Sequence, residues 1–532
     1  MPQIGLLALA AGFIAAPLFA SELFVTILDE LGQPVAARVY LVDGDARPVF
    51  PTGVIVYDKV RPDGVSERHF VPRRGKFMVD LKPGAYRLTV ERGKEYSPES
   101  LAVAMPRSGR VSRTIRLRRW IHMAQRGWYA GDMHVHRPLA DIATLMEAED
   151  LAVTLPITRW RTNRQVHSDP DLDRFLADTG ADGFFRCGEN CFFPVLNQEL
   201  EPRASALLAS RLGRIPVPLD YPLASFGHQV EFHGGLSDSE KATSWELPAL
   251  AAVGACRTVG VANNHLWRSG SYVSPWGAWP SDMPGHYGPN CVGYVQAGFD
   301  MYAALLNAGF TLKVSAGSAS GVHPVPPGWS RIYVHSGRPL SPDSWFQALL
   351  EGRSFVTTGP MLLLTVNGRE PGEEIHVAGF PLPLSIEVAM LSLQPVDSVE
   401  VAVNSSVYKV RLTPDSSAPH RYRGTLNTSA RSSAWIAARW TSARGATTCD
   451  AAHTSPVYVY HGKAAVPIDS TAVRMLLDRV DRLIAAVTAS DTGGAMQADT
   501  KELRVETLAY LTRAREIYAD KLERHAHKPR GP

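Results

Sequence analysis

The sequence predicts a multidomain α/β plus β protein, and three observations carry that prediction. At 532 residues the chain is longer than one ordinary core can fill, and length alone suggests about three domains. Both flanks show short strands of alternating hydrophobicity between turn signals, whereas the middle alternates buried-strand and helical patterns. The last segment carries apolar residues at the spacing of one helical face. Hydrophobic content of 45% and charged content of 20% are those of a globular chain. A net charge of +3, with no long basic run, gives no ground for a nucleic-acid partner.

Residues 1–20 contain the apolar run LLALAAGFIAAPLFA ahead of Ser21-Glu22, the shape of a signal peptide cleaved near Ala20. No Lys or Arg precedes the run, and Leu18 stands where a small residue is preferred. The expectation is a secreted or periplasmic protein with no membrane span in its mature form, since no other segment is long and apolar enough to cross a bilayer. Residues 21–118 alternate with period two and are broken by Leu-Gly-Gln-Pro, Asp-Gly and Lys-Pro-Gly turns, which predicts an N-terminal β-sandwich.

From residue 119 the texture changes. Strands are expected at 129–136, 152–158, 229–233, 258–265, 311–318 and 331–335, and helices at 141–151, 299–308 and 341–351. That alternation predicts a parallel α/β barrel or layered sheet over 119–360, with active groups at strand ends. Residues 361–462 return to short strands and read as a β-sandwich-like extension. In 463–532, Val473, Leu476, Leu477, Val480, Leu483, Ile484 and Val487 mark one helical face, and a second helix is expected over 500–522, forming a helical hairpin. Of five cysteines, Cys187 and Cys191 are close enough to pair, and Cys256, Cys291 and Cys449 read as buried thiols.

The chemistry concentrates in Gly131-Asp132-Met133-His134-Val135-His136. Residues two apart in a strand project to the same face, so Asp132, His134 and His136 share a pocket. Imidazole is a good ligand for Zn, Fe, Ni or Cu, and a neighbouring acid can fix the ring tautomer; the cofactor expected is divalent Zn, Mn or Fe. A histidine pair on a solvated edge strand is the bland alternative.

The order of motifs from about 120 to 365 resembles the PHP superfamily of metal-dependent hydrolases, most closely its CehA/McbA (carbaryl-hydrolase-like) branch. The residues that carry the resemblance are the Gly131–His136 motif, Ala148-Glu149-Asp150-Leu151-Ala152-Val153, Val261-Ala262-Asn263-Asn264-His265 and Ser315-Ala316-Gly317-Ser318-Ala319-Ser320-Gly321. Arg331-Ile332-Tyr333-Val334-His335 and the run from Gly352-Arg353-Ser354 to Thr358-Gly359-Pro360 belong to the same order. The resemblance implies a distorted (β/α)7 barrel and hydrolysis of an ester, amide, carbamate or phosphoester bond by a metal-activated water. It implies His134 and His136 as the opening metal ligands, Glu231 as the bridging carboxylate and His265 as the later histidine. His233, on the same expected face as Glu231, is a candidate catalytic proton shuttle beside Asp132.

Two departures thin this site. Thr158-Arg159-Trp160 stands where the family has Thr-Asp-His, and Ala319-Ser320-Gly321 where it has Asp-x-His. One or two ions are therefore expected rather than three, with His167 and His323 close enough in sequence to compensate. The alternative is a non-catalytic binding or scaffold protein with a degenerate metal site. The aromatic loop holding Trp267, Tyr272, Trp276, Trp279 and Tyr287 suggests a lid over a small-molecule or glycan-like substrate.

Overall fold

A computed structural model describes residues 21–162, 165–201, 205–219, 222–272, 287–462, 464–489 and 501–526. The expected signal segment, together with Trp276 and Trp279 of the aromatic loop, lies outside the described residues. The chain is mixed α/β and rich in strands, with a helical hairpin at its C-terminal end.

Near the N-terminus, strand Ser21–Leu28 pairs antiparallel with Lys76–Leu81 and parallel with Arg110–Arg116. A second sheet of five strands runs from Ile55–Val60 to Glu99–Met105. The alternation legible in the sequence places Leu23, Val25 and Ile27 inward, where they share one core with Val39, Phe70, Phe77 and Leu88 of both sheets.

The α/β part divides its strands between two sheets. The larger has twelve strands, and its centre is Trp128–Val135, flanked by Val153–Pro156 in parallel and by Arg331–His335 antiparallel. The smaller has seven, in the order Gln165–Ser168, Arg159–Thr162, Gln198–Glu201, Leu207–Ser210, Leu236–Ser239, Thr258–Ala262 and Lys313–Ala316. All eight residues of Trp128–Val135 are buried, as a strand covered on both faces requires.

Most expected elements appear near their expected bounds. Helices form at Leu139–Glu149, Cys291–Asn307 and Pro342–Glu351, the last begun by Ser341, whose hydroxyl accepts from the Ser344 N–H in a capping box. The expected strand at 229–233 is a correction: those residues belong to helix Leu223–Phe232. Leu223, Phe226 and Val230 are buried at helical spacing, and Gly234 follows at φ 73°. Tertiary burial of that apolar face outweighs the local alternation of Gln229-Val230-Glu231-Phe232-His233.

The larger sheet continues without a break past residue 360, because Ser354–Thr357 pairs antiparallel with Cys449–Thr454. Strands of this C-terminal region enclose a core of Leu362, Leu364, Ile386, Val401 and Ile436. Helices Ser470–Ala489 and Lys501–Ala526 bring Val473, Leu476, Val480, Leu483 and Val487 against the body with Leu511, Ala514 and Tyr518. Tyr518 also donates to the Pro248 carbonyl at 2.8 Å, tying the hairpin to helix Leu247–Ala252. Cysteine pairing exceeds the sequence reading: Cys187–Cys191 is a disulfide, but Cys291 and Cys449 form a second one, leaving Cys256 as a buried thiol. The fold brings together two cysteines that 158 positions of sequence separate. No described helix is long and apolar enough to cross a membrane.

Candidate metal centre

Extended backbone puts the side chains of Asp132, His134 and His136 on one side of the central strand and its C-terminal end. A loop after Lys313–Ala316 then clamps that end, with the Ala319 N–H donating to the His134 carbonyl at 2.6 Å and the His136 N–H to the Ser320 carbonyl at 2.7 Å. The approach is close enough to demand glycine: a Cβ at Gly317 would meet the His134 Cβ at 2.4 Å, and one at Gly321 would meet the His136 carbonyl at 2.0 Å.

The two histidines face a carboxylate from the other sheet. Glu199 Oε2 lies 3.4 Å from His134 Nε2 and 3.0 Å from His136 Nε2, and the two ring nitrogens are 2.8 Å apart. Donors around a tetrahedral ion at Zn-ligand distances stand roughly 3.3 Å apart, close to this triangle. Glu199 Oε2 is buried without a hydrogen-bond partner among the described residues, an orphan that a shared cation would satisfy. All three residues are buried or nearly so. Among the described residues they are the group of acid, cysteine and histidine side chains whose ligand atoms converge within 4.8 Å.

Electrostatics agree with this geometry. Burial alone would raise the Glu199 carboxyl, but the charges of His134 and His136 hold it well below the usual range. Burial lowers His136, whereas at His134 the pull of Glu199 and Glu240 outweighs burial and holds the ring at about 9. Glu240 Oε1 stands 3.6 Å from His134 Nδ1 and accepts from Asn264 Nδ2, while its other oxygen accepts from Lys241. At that distance no hydrogen bond forms, and His134 Nδ1 is buried without a hydrogen-bond partner among the described residues, so Glu240 acts on the ring through its charge. Burial, with the charges of Glu199 and Glu240, pushes the neighbouring Glu201 carboxyl up to about 8.

A cavity of about 380 Å³ opens in front of these groups, lined also by His265, His323, Trp160 and Glu201. Arg61 from the N-terminal strands reaches it, stacked 5.0 Å from the Trp267 ring and 4.7 Å from that of Tyr272.

The structure sorts the expected site residues. His134 and His136 meet as expected. His265 is buried in the same cavity but stands outside the converging triangle, stacked on Tyr294 at 5.4 Å and 6.1 Å from the His323 ring. His323 lines that cavity too, kept neutral by burial, which takes it down to about 3. His167 is exposed behind Trp160, at 5.6 Å between rings.

Three expectations are corrected. Asp132 is fully committed to structure: it accepts from Ser318 Oγ at 2.6 Å, from the Ser318 and Gly328 N–H groups and from the His134 N–H, so it anchors loops rather than facing substrate. Glu231 sits on the helix, accepting from Ser237 Oγ at 2.7 Å and pairing with Arg257 at 3.2 Å. His233 ends the same helix, exposed against Phe232. Neither lines the cavity.

The carboxylate that sequence reading missed is Glu199. Its signal was present in Gln198-Glu199-Leu200-Glu201, where two acids flank a fully buried leucine and so share the opposite face of one short strand.

No family model matches the chain, and no curated protein does. Among solved structures, the Bacillus anthracis TIE protein aligns over 23% of this chain and 20% of its own, at 14% identity and a TM-score of 0.14. A likeness that slight carries no weight for fold or function.

Proposed function

We propose that the protein is a metal-dependent hydrolase of the PHP type, similar to the CehA/McbA branch, acting on an ester, amide, carbamate or phosphoester bond. The observation that carries this reading is the buried triangle of His134, His136 and Glu199, built from two sheets and opening on a cavity of substrate size. These residues would hold one divalent ion, with the charge of Glu240 on the far side of the His134 ring. Such an ion supplies Lewis-acid polarisation of the scissile group and a lowered pKa for attacking water. The protein's own part is to exclude bulk water, with Trp160 packed 4.5 Å from the His136 ring, and to position substrate between His265, His323 and the Arg61–Tyr272 stack. Trp160, in the place of a family histidine, favours a reduced site over a three-metal cluster.

Elemental analysis of the purified protein tests this reading. Stoichiometric Zn, Mn or Fe, with hydrolysis of generic aryl ester, carbamate or phosphoester substrates that a chelator abolishes, is the expected result. Absence of metal after reconstitution overturns it, and metal without turnover leaves the non-catalytic binding protein.

A further inference from the structure

A second cleft, of about 480 Å³, opens where the N-terminal strands, the α/β body and the C-terminal strands meet. Its walls carry three indoles, Trp120, Trp329 and Trp440, with Lys94, Gln394 and Ser442 among them. Lys94 Nζ lies 3.1 Å from the centroid of the Trp329 ring and makes no ion pair or hydrogen bond among the described residues. The cleft's other charges are matched three against three: Arg268 donates to Glu91 at 2.5 Å, Arg38 donates to Glu91 at 2.7 Å and to the buried Glu149, and Asp450 faces Arg444 at 3.3 Å. One ammonium is therefore in surplus. Burial, and then the charge of Arg331, hold it well below the usual lysine value, with Asp450 acting the other way, so a ligand carboxylate on Lys94 would favour its charged form. Trp329 Nε1 is also buried with no hydrogen-bond partner among the described residues.

We propose that this cleft binds an acidic sugar, a uronic-acid unit of an oligosaccharide, with its ring against the indoles of Trp120 and Trp440 and its carboxylate on Lys94. The C–H faces of a pyranose suit the electron-rich faces of indole rings. Gln394 and Ser442 offer donors and acceptors for hydroxyl groups. A single surplus cation matches a carboxylate monoanion, whereas a phosphate dianion would call for a second. The site is independent of the metal centre, so the chain would combine a glycan-binding cleft with a separate cavity for chemistry.

Calorimetric titration of the full chain with digalacturonate, and with its neutral methyl ester, tests the proposal. The acid is expected to bind at least about tenfold more tightly than the ester, a preference that weakens with salt. Lys94→Gln should abolish the preference and Trp440→Ala should weaken both ligands, with metal content unchanged in each variant. Absence of binding by digalacturonate at millimolar concentration overturns the proposal, as does equal affinity for the ester. The acid–ester comparison on the unmodified protein decides the matter even if a variant fails to fold.

Discussion

His134 and Glu199 approach to 3.4 Å from two different sheets, one from the end of the central strand of the twelve-stranded sheet and one from within the seven-stranded sheet. No local pattern links positions 65 residues apart in this way, and the separation of the pair decides which carboxylate serves the site.

Substitution at Glu199 should therefore remove metal where substitution at Glu231 does not. Glu199→Gln, His134→Ala and His136→Ala are each expected to lower metal affinity by at least about 100-fold, while Glu231→Gln retains full occupancy. Competition with a chromophoric chelator reads the difference. Metal loss on changing Glu231, with retention on changing Glu199, would reverse the assignment.

Asp132 should behave as an anchor. Asp132→Ala leaves the Ser318 hydroxyl and the buried Gly328, Ser318 and His134 N–H groups without their acceptor, and the expected loss is about 2–4 kcal/mol in denaturant unfolding. Ser318→Ala, which removes one of those bonds, should cost about 1 kcal/mol. A large fall in turnover at unchanged stability would instead place Asp132 in the chemistry.

The two disulfides should differ in weight. Opening Cys291–Cys449 releases a loop with a sequence separation of 158, worth about 5 kcal/mol in the chain-entropy treatment, against about 2 kcal/mol for the separation of 4 at Cys187–Cys191. Paired serine variants compared by unfolding midpoint under non-reducing conditions check the ranking. Equal losses would count against the long-range bridge.

Glu246 gives the fold a pH dependence that can be isolated. Burial raises its carboxyl to about 7 in the folded chain, although Tyr510 donates a hydrogen bond to it. A raised folded value means the native state binds the proton more tightly than the unfolded chain. Its stabilising effect is full below about pH 4.5 and is lost as pH rises through 7. Glu246→Gln should therefore match the parent protein in acid and exceed it above pH 7, by up to about 3 kcal/mol. A difference that does not grow between pH 5 and 8 removes Glu246 as the cause.

Local patterns carried much of the fold. Ser21–Leu28 alternates because one face of its sheet is core, and helix Ser470–Ala489 shows a stripe because one face docks. The histidine pair was legible for the same reason, since both members lie in one extended segment. Glu231 misled because Gln229-Val230-Glu231-Phe232-His233 alternates over five residues inside a longer helical repeat beginning at Leu223. Reading the window from Leu223 recovers the helix.

What the sequence by itself determined is whatever a single segment can express: the strand-rich flanks, the α/β middle, the helical hairpin, and His134 and His136 side by side on one strand end. Only the tertiary structure decided that Glu199 completes the triangle, that Glu240 stands behind His134, that Asp132 turns to loop anchoring and that Cys291 finds Cys449. The physical reason is that periodicity fixes the direction of a side chain relative to its own backbone, whereas a binding site depends on distances between segments. Those distances are set by how two sheets pack across a shared interior.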